Sequence, residues 1–314
     1  GLLQEMVTDL GISVPAGGHV ISAYALGVVV GAPVLAALGA RMPRKKLAVG
    51  LMMLFAVGNL SSFFAPDYQW LLVSRFISGL PHGAFFGVAA VIAASLVAPT
   101  RRARAISMVM LGLSIANVVG VPFATWLGQL AGWRWMFVLV GLIGLLTVIL
   151  MMRFVPHQAI LPGASIRREL GALRRVQVWL ALLVGTVGFG GFFAVYAYIS
   201  PTMTNVAGFD TGLLPLIVGL YGLGNVVGNI AGGRLADRNV MGSIYGILAG
   251  TVLILASYAW LVQYKAGALV LVFLVGTIGS MLVPPLQTRL LDVSPDAQSL
   301  ASSLTHSALN MANA

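Results

Sequence analysis

The 314-residue chain has no cysteine and only eight acidic residues, set against eighteen basic ones. The missing cysteine excludes disulfides, thiolate metal sites and cysteine nucleophiles. Charged residues make up 8% of the chain, where soluble chains carry roughly 25%, and a soluble globule is thereby excluded. Disorder is excluded as well, because disordered chains are poor in apolar residues and here 59% are hydrophobic, with a mean hydropathy of +0.97. H-E-x-x-H, G-x-S-x-G and P-loop motifs are all missing, so no enzyme is expected. Glycine is plentiful at 38 residues, about 12% against a usual ~7%, and small residues let membrane helices approach closely. A polytopic, all-α membrane protein is the class that remains.

A hydrocarbon core about 30 Å thick takes roughly 20 apolar residues per helix. Nine such spans are predicted at 19–38, 47–65, 70–97, 105–128, 135–154, 178–199, 213–233, 241–262 and 266–286. A tenth starts near Gln298 and is incomplete. Gly1-Leu2-Leu3-Gln4-Glu5-Met6 reads as the exit turn of another helix, so the sequence is expected to be a piece lacking both ends.

The formal charge of +10 raises the question of nucleic acid, and the placement of the charges answers it. Fifteen of the eighteen basic residues fall in alternate loops, from Arg41, Arg44, Lys45 and Lys46 through Arg101, Arg102 and Arg104 to Arg289. The intervening loops hold Arg134 and Lys265, and Arg75 lies inside a span. Such an excess marks the cytoplasmic side, so the charge reports topology and no nucleic-acid partner is expected.

The chain repeats itself. At an offset of 197 residues, Tyr24, Leu26, Gly27, Val29, Val30, Gly31, Leu38 and Arg41 fall on Tyr221, Leu223, Gly224, Val226, Val227, Gly228, Leu235 and Arg238, eight identities in 18 positions. Gly79 falls on Gly276, and Gly83 on Ser280. Six spans separate the copies, an even number, so both keep one orientation, as in transporters built from parallel halves. The expected division is a bundle at 1–155, a cytoplasmic linker at 156–176 and a second bundle at 177–314. Arg167-Arg168 and Arg174-Arg175 stand seven residues apart in the linker, the spacing of an amphipathic helix that lies on the anionic membrane surface or binds a partner.

Arg75 is the most informative residue. A charge deep in a membrane costs at least ~2.5–3.5 kcal/mol, so it faces a cavity or a buried partner. His82 follows seven residues later, on the same helical face unless Pro81 kinks the helix. Both could contact substrate or relay protons, or both could make buried structural hydrogen bonds. His82 and His306 are the titrating groups expected inside the spans, since every acidic residue falls at a loop or span end. Asn225, Asn229, Gln287, Asn310 and Asn313 read as interhelical glue before ligand contacts. Two look-alikes are set aside: Gly222-Leu223-Gly224 with Gly228 follows no strand, and the glycosylation triplet Asn59-Leu60-Ser61 lies within a span.

The chain resembles the major facilitator superfamily, in particular its drug:proton antiporters and arabinose or sugar efflux permeases. The resemblance covers essentially the whole chain. It rests on Gly1-Leu2-Leu3, Ile21 to Gly27, Ser74-Arg75-Phe76, His82 to Gly87, Ala116 to Pro122, Tyr196 to Pro201, Val283 to Gln287 and Asn310 to Asn313. It implies two parallel-repeat six-helix halves, here with partial first and eleventh helices. Members often carry an acidic residue in the first helix, so a coupling carboxylate, if one is used, is expected outside the visible spans.

The family's loop signature G-x-L-A-D-R is met by Gly233-Arg234-Leu235-Ala236-Asp237-Arg238. The first-half copy departs from it, placing Ala40 where the acid should be, before Arg41, and Pro43 where the glycine should be. An acid beside an arginine at a helix end can latch two helices through charge-assisted bonds; Ala40 removes that latch on one side. Gly112, Asn117, Gly120 and Pro122 resemble a variant of the antiporter G-x-x-x-G-P signature, implying a bent helix that closes a leak path, although glycine packing explains the same residues.

The resemblance implies a secondary transporter working by alternating access, with proton-coupled efflux of a small drug or sugar. A proton-linked importer or uniporter, or a non-transporting receptor or scaffold, are the alternatives. Substrate- and proton-pathway positions are expected at Arg75, His82, Asn117, Tyr196, Tyr198, Gln287 and His306, the two tyrosines alternatively being interfacial anchors. Gating positions are expected at Arg41, Gly120, Pro122, Gly233, Asp237 and Arg238. No cofactor or metal is expected, the proton gradient being the energy source. The expected partners are the bilayer, protons and substrate, for a monomer in a bacterial inner membrane.

Overall fold

The structure, a computed structural model, describes residues 3–157 and 165–312, which hold helices and no strands. The chain opens with α1 (Leu3–Leu10) and α2 (Val14–Leu38), the latter capped by Ser13 Oγ accepting from Ala16 N and closed by a 3₁₀ turn at Gly39–Arg41. Then come α3 (Arg44–Phe63), α4 (Tyr68–Ser95) and α5 (Arg102–Ile115). A π-helical turn at Ala116–Gly120 leads into α6 (Val121–Ala131), followed by α7 (Arg134–Phe154). The linker forms α8 (Ile166–Leu170) and a 3₁₀ turn, Gly171–Arg174. Beyond it lie α9 (Val176–Ala197), α10 (Ile199–Pro201), a second π-helical turn at Thr202–Val206, α11 (Leu214–Arg238), α12 (Val240–Leu261), α13 (Lys265–Val293) and α14 (Gln298–Ala312).

Among the described residues nine helices are long and apolar enough to cross a membrane, and they coincide with the nine spans read from sequence. The fourth span differs in detail. It continues as π- and α-helix to Ala131, because a π turn accommodates a proline, which lacks a backbone donor, at position 122 without ending the helix. Outward faces are apolar: Leu142, Ile143, Leu146, Ile149 and Leu150 of α7 are all exposed. A contiguous apolar stripe of that size suits lipid rather than water.

The helices form two compact units. The first comprises residues 1–92, 121–176 and 294–310; the second comprises 93–120, 177–293 and 311–314. Lipid tails are as apolar as leucine, so helices associate through close packing and polar contacts rather than hydrophobic burial. In the first unit α2 and α4 meet at glycines: a Cβ on Gly27 would collide with the Phe76 carbonyl, one on Gly31 with that of Leu80, and one on Gly79 with that of Tyr24. Helices α3 and α7 pack the same way, Gly141 and Gly144 lying against Leu60 and Ala56. In the second unit Gly224, Gly228 and Gly276 bring α11 and α13 together against the carbonyls of Phe273, Thr277 and Tyr221. Ile199, Met203, Ala207, Ile217, Val262, Ala268 and Val272 form a buried apolar cluster in that unit.

Candidate functional site

The first unit gathers Arg75, His82 and His306. Pro81 does not separate the first two: α4 runs unbroken through it, and both side chains reach Tyr24 of α2. The Arg75 guanidinium sits 4.3 Å above the Tyr24 ring and 5.2 Å from that of Phe137. Its Nη1 donates to Asn59 Oδ1 at 3.1 Å and to Ser78 Oγ at 3.2 Å. Asn59 is held in turn by donating to the Phe55 carbonyl at 2.8 Å. Among the described residues no ion pair is made by Arg75. A guanidinium in a membrane span is therefore balanced by π-faces and neutral acceptors, which suits a site where another group supplies the counter-charge or acceptor oxygens.

Tyr24 Oη and His82 Nδ1 are hydrogen-bonded at 2.6 Å, in an edge-on ring arrangement. The His306 ring of α14 lies 6.2 Å from that of His82, and Phe86 stacks on it at 4.9 Å. His306 is buried, and among the described residues its Nε2 has no hydrogen-bond partner. Gly83 is what admits it, since a Cβ there would press on the His306 Cβ. A buried polar nitrogen left unpaired costs free energy, and such a group in a native structure calls for an explanation, of which a functional role is one. The arrangement runs from a permanent cation through a phenol to two imidazoles, groups able to hold and pass a proton.

The other expected pathway residues lie in the second unit. Asn117 is exposed in the π-helical turn. Tyr196 and Tyr198 are both exposed, the former with its ring 4.9 Å from that of Tyr221. Gln287 is completely buried in α13. The asparagines act as interhelical glue: Asn229 Nδ2 donates to Ser114 Oγ at 2.7 Å, and Asn225 Oδ1 accepts from Ser280 Oγ at 2.9 Å. Asn310 Nδ2 bonds the His306 carbonyl within its own helix, and Asn313 lies outside the described residues.

Of the gating positions, Asp237 is the best engaged. Its Oδ1 accepts from the amides of Ala103 at 2.9 Å and Arg104 at 3.3 Å, and Arg104 Nε lies 3.4 Å from Oδ2. Gly233 allows this approach, because a Cβ there would strike Ser107. Arg238 is exposed beside a groove of about 440 Å³ that Gly242, Gly246 and Ile278 also line. Arg41 is exposed in the turn after α2. Gly120 is loosely packed, the Ala116 Cβ being 3.6 Å from where its own would be, and Pro122 is the second residue of α6, with its side chain outside the description.

In the linker, two arginines share one acidic partner. Arg168 Nη2 and Arg175 Nη2 each bond one oxygen of Asp296, at 2.9 Å and 3.0 Å. The guanidinium of Arg168, and then that of Arg175, hold this exposed carboxyl below the usual aspartate range. Glu169 Oε2 accepts from the Leu300 amide at 2.9 Å; burial pushes its carboxyl above the ordinary glutamate value, while the Leu300 amide, Arg44 and the Ser299 amide pull it back. At α1, Asp9 bonds Arg134 and Trp133, which hold its carboxyl low. Sequence reading missed Tyr24 and Asn59 as Arg75 partners. Tyr24 stood out as a repeat identity and within the Ile21 to Gly27 resemblance, and a polar residue in another apolar span, such as Asn59 of α3, carries no signal of which charge it meets.

A family model described as Major Facilitator Superfamily matches residues 1–314. The inner membrane transport protein YdhP of Escherichia coli O157:H7 is 38% identical over 314 residues, a match covering 100% of this chain and 81% of that one. The chloramphenicol resistance protein of Streptomyces lividans is 31% identical over 317 residues, covering 99% and 80%. In fold, the human organic anion transporter MFSD10 (TETRAN) superposes with a TM-score of 0.77 at 16% identity, covering 99% of this chain and 80% of that one. The chain belongs to the Major Facilitator Superfamily, with its all-α fold of two parallel-repeat halves, and is a membrane transporter rather than an enzyme.

Proposed function

We propose that this transporter exports a small organic molecule in exchange for protons, by alternating access of its two helix bundles, with Arg75, Tyr24, His82 and His306 at the coupling site. The observation that carries the reading is the continuous set of groups in the first unit: a guanidinium whose partners among the described residues are neutral, a phenol bonded to one imidazole, and a second, buried imidazole with a nitrogen that is unpaired among the described residues. Substrate oxygens, hydroxyl or carbonyl, suit the donors of Arg75, and a proton suits the imidazoles. Export is supported by the resemblance of the sequence motifs to efflux permeases, and a drug as cargo fits the name of the chloramphenicol resistance relative. The basic loops and linker face the cytoplasm of a bacterial inner membrane, as the YdhP relative's name and the loop charges suggest. A single chain is the working unit, and the proton gradient the energy source.

The test uses inverted membrane vesicles with an acidified lumen, a pH-sensitive dye and a panel of sugars and amphiphilic drugs. Substrate-dependent dye recovery is expected, with loss in Arg75→Ala and His82→Phe at unchanged protein level. Substrate flux without proton movement would replace the reading by a uniporter. No flux of any compound by folded protein would replace it by a receptor or scaffold.

A further inference from the structure

The 197-residue offset that relates α2 to α11 also carries α5 onto α14: Ala103 falls on Leu300, Arg104 on Ala301, and Asp237 falls back on Ala40. Helices begin with amides that have no intrahelical acceptor, and an acid placed there satisfies them and favours the positive end of the helix dipole. In the second unit Asp237 does this for α5, with Arg104 close beside the carboxylate. In the first unit the corresponding motif position is Ala40, which has no acceptor to give.

The corresponding turn of α14 is nevertheless capped. Glu169 takes the Leu300 amide at 2.9 Å, with the Ser299 amide also bonded to its carboxylate, and Arg44 stands as the nearby cation. Glu169 has no place in the repeated motif: it belongs to the linker, whose helix α8 packs against the Gly39–Arg41 turn that contains Ala40. Arg168 and Arg175 fasten the same linker to Asp296, just before α14, and Arg44 Nη2 donates to Gln298 Oε1 at 3.3 Å. We propose that Glu169 is a positioning residue that replaces, from the linker, the acid missing at Ala40, so that the start of α14 is held by the connection between the halves instead of by the α2–α3 loop. The inference does not rest on the direction or coupling of transport.

The experiment is amide hydrogen exchange of the full chain in lipid nanodiscs, followed at Ser299–Ala301, with Ala103–Arg104 as internal reference. Glu169→Ala should raise exchange at Ser299–Ala301 about tenfold, the size of a lost cap, and leave the reference unchanged. Adding Ala40→Asp should restore exchange to within about twofold, since an acid would again stand at the motif position. Arg167→Ala, on the same linker helix, should change neither site. Unchanged exchange in Glu169→Ala, or no recovery in the double variant, overturns the proposal. Should Glu169→Ala alone fail to fold, the double variant must fold, and its failure also overturns the proposal.

Discussion

The pairs α2–α4 and α11–α13 are built on one backbone plan and carry different chemistry. At the 197-residue offset three close approaches recur: Gly27 on Phe76 and Gly224 on Phe273, Gly31 on Leu80 and Gly228 on Thr277, Gly79 on Tyr24 and Gly276 on Tyr221; a fourth, Gly232 on Met281, has Leu35 at the matching position. Arg75 corresponds to Val272, which is fully buried and apolar, and His82 to Gly279, which packs on Phe192. Conversely Val28 and Ala32 correspond to Asn225 and Asn229, which bond Ser280 and Ser114. The glycines thus serve a contact common to both halves. At these matched positions the ionisable side chains Arg75 and His82 stand in the first half, while the second carries the neutral pairs Asn225–Ser280 and Asn229–Ser114.

The comparison breaks most visibly if the glycine contacts are not equivalent. Gly31→Leu and Gly228→Leu each drive a side chain into a carbonyl of the facing helix, and overpacking of this kind costs about 3 kcal/mol or more. Both variants should lose monodispersity in detergent to a similar degree, as read by size-exclusion chromatography and thermal melting. Gly50→Ala, at a glycine with nothing within 4 Å, should be neutral or slightly stabilising. Collapse of only one of the two leucine variants would mean that the repeat is a pattern of sequence without a shared packing role.

The equivalent tyrosines sharpen the chemical half of the comparison. Tyr24 uses its hydroxyl, on His82, and its ring face, under Arg75, whereas Tyr221 meets Tyr196 ring to ring. Tyr24→Phe keeps the ring and removes one neutral hydrogen bond, worth ~0.5–1.5 kcal/mol, so substrate-driven proton flux should fall roughly threefold to tenfold. Tyr221→Phe should stay within about twofold, because ring packing survives the change. Equal losses in both would remove the distinction between the halves.

Much of this was legible in sequence because the bilayer imposes simple rules. Span length, basic-loop alternation and the 197-residue repeat each follow from one constraint, and α2, α4, α11 and α13 appear where those rules place them. Arg75 was legible because a charge in a span is costly, and His82 because seven residues return to the same helical face. Asn59 and Tyr24 were not, since contacts between helices leave no mark of register in a single chain. Glu169 carried no signal among the linker's arginines, whose spacing suited a helix on the membrane surface or one that binds a partner. Only the folded chain brings Glu169 to Leu300, more than a hundred residues on.

The smallest expected effect compares two carboxylates at the start of α14 that should respond to pH with opposite sign. Asp296 is exposed and held low by Arg168 and Arg175. Its share of stability is present above the ordinary aspartate value, about 3.9, and is lost as pH falls through the lower folded value. Glu169 is held high by burial. Its share is fully present below the ordinary glutamate value, about 4.3, and is lost as pH rises through the higher folded one. Melting curves of purified protein from pH 3 to 7 should therefore show Asp296→Asn falling further behind the wild type as pH rises. Glu169→Gln, which keeps an acceptor oxygen but no longer titrates, should instead gain on the wild type over the rise. High salt should shrink the Asp296 difference first, since exposed charges are the more strongly screened. Parallel curves for the two variants would mean that burial does not distinguish the linker's carboxylate from the loop's, and that α14 is capped by a solvated acid.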